Sequence, residues 1–179
     1  MPLITSNNSI PLMTAVIDDV YTRVVSVNSN DTRQDYVDYT LTQSVDTTRC
    51  IAVINSAIGC CYYNSGDKYT IGMLPELINS NTMRLWVGGS LFGSTRSFDM
   101  PIIIYEFGVT PKRIETIIAT NNAVSVNLDV SLSSPADRSK SVIFNSAAAS
   151  LTYHETDCVW KDDSHLTFNW SVGCTVVEF

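Results

Sequence analysis

The sequence predicts an all-β chain: two tandem antiparallel β-sandwich modules, jelly-roll or Ig-like, related by internal duplication and preceded by an N-terminal arm. Three observations carry that expectation. Val124, Val126, Leu128, Val130 and Leu132 alternate with Ser125, Asn127, Asp129 and Ser131, the pattern of a strand with one buried and one wet face. A closing run recurs: Ile102-Ile103-Ile104-Tyr105-Glu106-Phe107 is followed much later by Cys174-Thr175-Val176-Val177-Glu178-Phe179. Upstream of each run, residues 46–57 resemble residues 137–147 with one residue of slippage, and two matched blocks in the same order indicate a repeat.

From the N-terminus, residues 1–35 form the arm or edge strand. They begin polar, yet Leu12, Met13, Val16, Ile17 and the apolar residues of 21–27 suit either docking on a neighbouring subunit or an ordinary first strand of the local sheet. Strands are expected at 20–27, 36–43, 49–57, 68–73, 83–88 and 97–107, which places the first module at 36–107. The best helix candidate, Met73-Leu74-Pro75-Glu76-Leu77-Ile78, is interrupted by Pro75 and reads as a single turn or irregular connection. Gly108-Val109-Thr110-Pro111 forms a joint, and the second module runs over 112–179. Its strands are expected at 113–120, 124–132, 141–146 and 151–155, with 166–176 as one long central strand. Pieces such as Asn64-Ser65-Gly66-Asp67 and Ser133-Ser134-Pro135-Ala136-Asp137 supply the turns.

Composition narrows the function. With 45% hydrophobic and 16% charged residues the chain holds enough apolar surface for a core. A net charge of −7, with only 11 Lys and Arg spread thinly, argues against a nucleic-acid partner. No stretch approaches the roughly 18 to 20 apolar residues of a membrane helix, so no membrane partner is expected. The first residues lack the basic start and apolar core of a secretion signal, which points to synthesis in a cytoplasm. Cys50, Cys60, Cys61, Cys158 and Cys174 show no CxxC spacing and read as small buried hydrophobes, with a disulfide formed after release from the cell left open.

Glu106 and Glu178 fall on the inward parity of their closing runs. A buried carboxylate needs a partner, so structural ion pairs are expected between Glu106 and Arg49 and between Glu178 and Lys140, the basic residues of the matched upstream blocks. The stretch containing Trp86, Leu91 and Phe92 among Gly88, Gly89 and Gly93 fits a partner-contact loop, or else a barrel corner or bulge. His154, His165, Cys158 and Cys174 match no compact zinc spacing, and Glu155, Asp157, Asp162 and Asp163 lack the pattern of a calcium loop. No nucleophile elbow or phosphate loop occurs, so no enzyme activity, catalytic residue, metal or cofactor is expected.

A basic residue opening a strand, Arg49 or Lys140, followed by a closing strand that ends in Glu-Phe, resembles small β-rich virion proteins of tailed bacteriophages. The likeness covers roughly residues 37–179. It implies a non-enzymatic virion component made in the host cytoplasm: a capsid decoration or accessory protein, or else a tail, collar or fibre protein with a receptor- or carbohydrate-binding role. It also implies self-association, with a trimer suited to local threefold sites, and contact with major capsid or tail proteins. Trp86, Trp160, Tyr62 and Tyr63 are rings that a sugar-binding role would use.

Overall fold

The computed structural model describes residues 12–25, 35–55, 70–90, 96–119, 128–145, 147–149, 157–169 and 173–179. The first part of the chain supplies β1 (Met13–Val25), β2 (Asp35–Thr40), β3 (Cys50–Ile54), β4 (Thr70–Asn79), β5 (Thr82–Ser90) and β6 (Arg96–Phe107). The remainder supplies β7 (Arg113–Ile118), β8 (Leu128–Ser131), β9 (Ser141–Asn145), β10 (Ala147–Ala149), β11 (Asp157–Trp160), β12 (His165–Asn169) and β13 (Gly173–Glu178). Among the described residues the only helical piece is a 3-10 turn, Arg138–Lys140, and every strand pairing is antiparallel. The chain is all-β.

The described residues form four small sheets, with orders β1-β6-β3, β10-β4-β5-β2, β7-β13-β9 and β11-β12-β8. Three apolar clusters join them. Ile17, Tyr21, Cys50, Ala52, Met100, Ile102 and Ile104 pack against Met73, Met83 and Leu85, so β1-β6-β3 faces β4-β5-β2. Ile117, Cys174 and Val176 pack against Leu166 and Phe168, so β7-β13-β9 faces β11-β12-β8. Ile51, Phe107 and Val177 form the third, backed by Ile114, Phe144 and Phe179. The central strands β6 and β13 therefore bury both faces at Ile102–Ile104 and Cys174–Val177, which is why those stretches read as nearly continuous apolar runs rather than alternating ones.

Short-range bonds repeat along the chain. Asp46 Oδ1 accepts from the amide and hydroxyl of Thr48, as Asp137 Oδ1 does from those of Ser139. Their carbonyls accept from Arg49 and Lys140, each at 3.0 Å, and β3 and β9 start at the next residue. These carboxylates compete locally with strand pairing and so fix where pairing begins. Leu41 and Val45 donate to Asn81 and Ser80; Leu132 and Ala136 donate to Ser164 and Asp163. Finally, Phe107 donates to the Arg49 carbonyl at 2.8 Å and Phe179 to the Lys140 carbonyl at 3.0 Å.

Several sequence expectations are corrected. Met73 to Ile78 is neither a turn nor an irregular connection: it lies within β4, whose pairing with β5 shifts register at Ile78. Among the described residues β10 pairs with Ile71, Gly72 and Met73 alone, so β4 is an edge beyond that point and tolerates Pro75. The expected single strand at 166–176 is two strands, β12 and β13, in different sheets. Leu166, Phe168, Cys174 and Val176 share one core, but they enter it from opposite sides. Alternation reports which side chains are buried, not whether the backbone is continuous. β1 begins at Met13, earlier than expected, and pairs with β6 as an edge strand of its sheet. β11 at Asp157–Trp160 was not expected, and the strand expected at 151–155 lies outside the described residues.

Candidate functional site

The two closing glutamates are placed alike in their ladders but held differently. Glu106 stands opposite Cys50 on one side and Thr14 on the other. Thr14 carries no charge, so the cation comes from the neighbouring position: Arg49 Nη1 lies 3.2 Å from Glu106 Oε1, and Arg49 Nη2 donates to the Phe107 carbonyl at 2.9 Å. Both side chains remain about a third exposed, at 35% and 36%.

Glu178 stands opposite Ser141 and Arg113, and its side chain is 2% exposed. Lys112 Nζ donates to Oε1 at 2.5 Å, and Arg113 Nη2 sits 3.2 Å from Oε2. The expected Lys140–Glu178 pair is not formed; Lys140 pairs with Asp137 at 3.4 Å. β7 already places a cation directly across from Glu178, and the partner at the preceding strand start is therefore redundant. The hydrogen bond from Lys112 holds the Glu178 carboxyl below the usual glutamate range, against the opposing effect of burial, with help from the Asp137 amide and the two positive charges. A carboxyl so ionised is suited to holding strands together and unsuited to delivering a proton.

The outer face of β4-β5-β2 carries a different cluster. Tyr36 lies opposite Trp86, and Asp38 opposite Arg84. The Arg84 guanidinium sits 3.8 Å above the Tyr36 ring and forms a fork with Asp38, its Nε 2.7 Å from Oδ1 and its Nη2 2.9 Å from Oδ2. Tyr36 and Trp86 meet with centroids 5.1 Å apart and planes tilted by 59°, and the Trp86 indole donates to Glu76 Oε2 at 2.6 Å. Hydrogen bonding to Arg84 lowers the Asp38 pKa, and the same bond raises that of Arg84, so the pair stays charged. Tyr36 is 45% exposed, which leaves an aromatic and charged patch facing outward. Sequence reasoning singled out Trp86 but missed Tyr36, Arg84, Asp38 and Glu76. Their alternate spacing on β2 and β5 was the available signal. Leu91 and Phe92 lie outside the described residues.

Two adjoining cavities, of about 190 and 230 Å³, open beside β3, β4 and β13 and share Ala52, Pro75 and Thr175. Glu76 contributes the carboxylate of their lining, and it already accepts from Trp86. The remaining candidates are dispersed. His165 Nδ1 lies 2.8 Å from Asp162 Oδ1 and Asp163 pairs with Arg138 at 2.7 Å, while His154 and Glu155 lie outside the described residues. Among the described residues no group of three or more His, Cys, Asp or Glu could hold a metal ion. Cys158 and Cys174 meet at 3.5 Å between sulfurs.

No protein-family model, no curated protein and no solved structure matches this chain.

Proposed function

We propose that the chain is a non-enzymatic structural protein of a tailed-phage virion, a capsid decoration or accessory protein that self-associates and binds the particle surface. Its architecture, in this reading, is a tandem of two six-stranded sandwiches derived by duplication. One observation carries it: β1-β6-β3 with β4-β5-β2 corresponds strand for strand to β7-β13-β9 with β11-β12-β8, and the one departure is β10, which adds to the β4 edge and has no counterpart among the described residues of the second set. The aspartate turns and the Phe107 and Phe179 amide bonds recur at corresponding places in both sets. Charged groups are spent on joining strands, as at Arg49–Glu106 and Lys112–Glu178, which suits a rigid module. The Glu-Phe closure that resembles phage virion proteins sits at the end of the central strand of its sheet in each set.

Counting copies of the chain per intact particle by quantitative mass spectrometry, and locating it by electron microscopy, tests the proposal. Copy numbers comparable with the major shell protein support decoration. Absence from purified particles sinks the virion assignment.

A second reading, a tail, collar or fibre protein with a receptor- or carbohydrate-binding role, is favoured by the outward Tyr36–Arg84–Trp86 cluster. It requires a handful of copies per particle and glycan binding that Tyr36→Ala abolishes.

A further inference from the structure

We propose that Cys158 and Cys174 are a modification site: on exposure to a small-molecule disulfide they close an intrachain cross-link between the outer sheet β11-β12-β8 and the inner sheet β7-β13-β9. This goes beyond the structural role argued above and does not depend on it. The sulfurs already touch at 3.5 Å, and both residues belong to the core around Leu166, Phe168 and Val176. A disulfide requires about 2.05 Å, an approach of roughly 1.5 Å that side-chain rotation and slight strand movement supply. Access is asymmetric: Cys174 is fully buried whereas Cys158 is half-buried, so reagent reaches Cys158 first. Cys50 is committed to the other core cluster. By ladder register, the positions matching Cys158 and Cys174 in the first set are Pro75 and Ile102, so packing there does not need sulfur.

The chemistry balances with oxidised glutathione as oxidant. Cys158 loses its proton to water, and its sulfur attacks one glutathione sulfur, breaking that disulfide and releasing one glutathione thiolate. Cys174 then loses its proton, and its sulfur attacks Cys158 and expels the second glutathione. Two protein thiols are oxidised and one glutathione disulfide is reduced to two thiols. Contact with Cys158 and burial hold the Cys174 thiol in its protonated form, so the closing step is slow. A reducing cytoplasm leaves both thiols free; an oxidising exterior does not.

The test incubates the full chain with oxidised or reduced glutathione, then unfolds it in acid, alkylates and maps the peptides. The expected product is a peptide pair joined through Cys158 and Cys174. Oxidised protein should melt about 5–10 °C above reduced protein, and Cys158→Ser should erase that difference while Cys50→Ala preserves it. Recovery of Cys158 and Cys174 as separately alkylated peptides overturns the proposal. So does glutathione arrested on Cys158, or linkage of either residue to Cys60 or Cys61. The peptide map on the native sequence decides the matter even if a variant fails to fold.

Discussion

Glu178 of β13 stands directly across the ladder from Arg113 of β7, with Arg113 Nη2 3.2 Å from Glu178 Oε2 and only 2% of the carboxylate side chain exposed. Removing the Glu178 carboxylate leaves the largely buried Arg113 with Glu115, 3.3 Å away, as its remaining ion pair, so its charge is only partly compensated. Glu178→Gln should therefore cost about 3 kcal/mol in urea unfolding. The Glu178→Gln, Arg113→Met double variant should cost less than the two single changes together. Strict additivity would show that the two groups act independently.

Arg49 and Glu106 offer the contrast, since water still reaches about a third of each side chain. Arg49→Met should cost about 1 kcal/mol, because screening reduces the pair to the value of a surface bridge. A loss equal to that at Glu178 would mean that Arg49 acts through its bond to the Phe107 carbonyl rather than through the charge.

Acid should weaken the fold through Glu178. Its folded pKa lies below the ordinary value of 4.5, so its contribution is fully present above that value and disappears as the pH falls through the folded one. Unfolding free energy measured from pH 7 down to 3 should fall less steeply for Glu178→Gln than for the native chain. Asp46, Asp137 and Asp129 are lowered likewise by hydrogen bonds, so Glu178→Gln should reduce the acid sensitivity without abolishing it. Parallel curves would remove Glu178 from the account.

Gly173 begins β13 opposite Ile118, where a Cβ would stand 2.1 Å from the Ile117 carbonyl oxygen. That atom is backbone and cannot rotate away, so Gly173→Ala must part β13 from β7 at a cost of about 3 kcal/mol. At Gly108 the nearest atom, the Leu12 carbonyl oxygen, is 3.2 Å away, and alanine should cost less. Denaturant melts of the two variants check the order.

Phe107 is fully buried and meets Phe179 edge-on at 5.3 Å and Phe144 at 6.3 Å. These rings join the sheet of β6 to the sheet of β13, so the native chain should unfold in one transition. Phe107→Ala should cost about 4 kcal/mol and split calorimetric unfolding into two steps. Two transitions in the native chain would show that the third cluster does not couple the sheets.

Much of this fold was legible locally. Asp46 and Asp137 sit at the same spacing before Arg49 and Lys140, and their turns form from atoms within three residues. The Arg49–Glu106 contact follows from parity plus a long side chain. The partner of Glu178 was not legible, because it depends on which residue β7 brings opposite: Arg113 there, Thr14 at the matching place in β1. The Tyr36–Arg84–Trp86 face escaped for a similar reason, since it exists only once β2 lies beside β5.

By itself the sequence determined the all-β character and the burial of Leu166, Phe168, Cys174, Val176 and Glu178, though not that of Glu106, which stays about a third exposed, because alternation and turn chemistry act over a few residues. Only tertiary structure decided that β12 and β13 part into different sheets, that β10 reaches across to β4, and that Cys158 meets Cys174. The physical reason is that burial is a demand a residue can meet against any apolar face. Chain closure and the competition among faces choose which one.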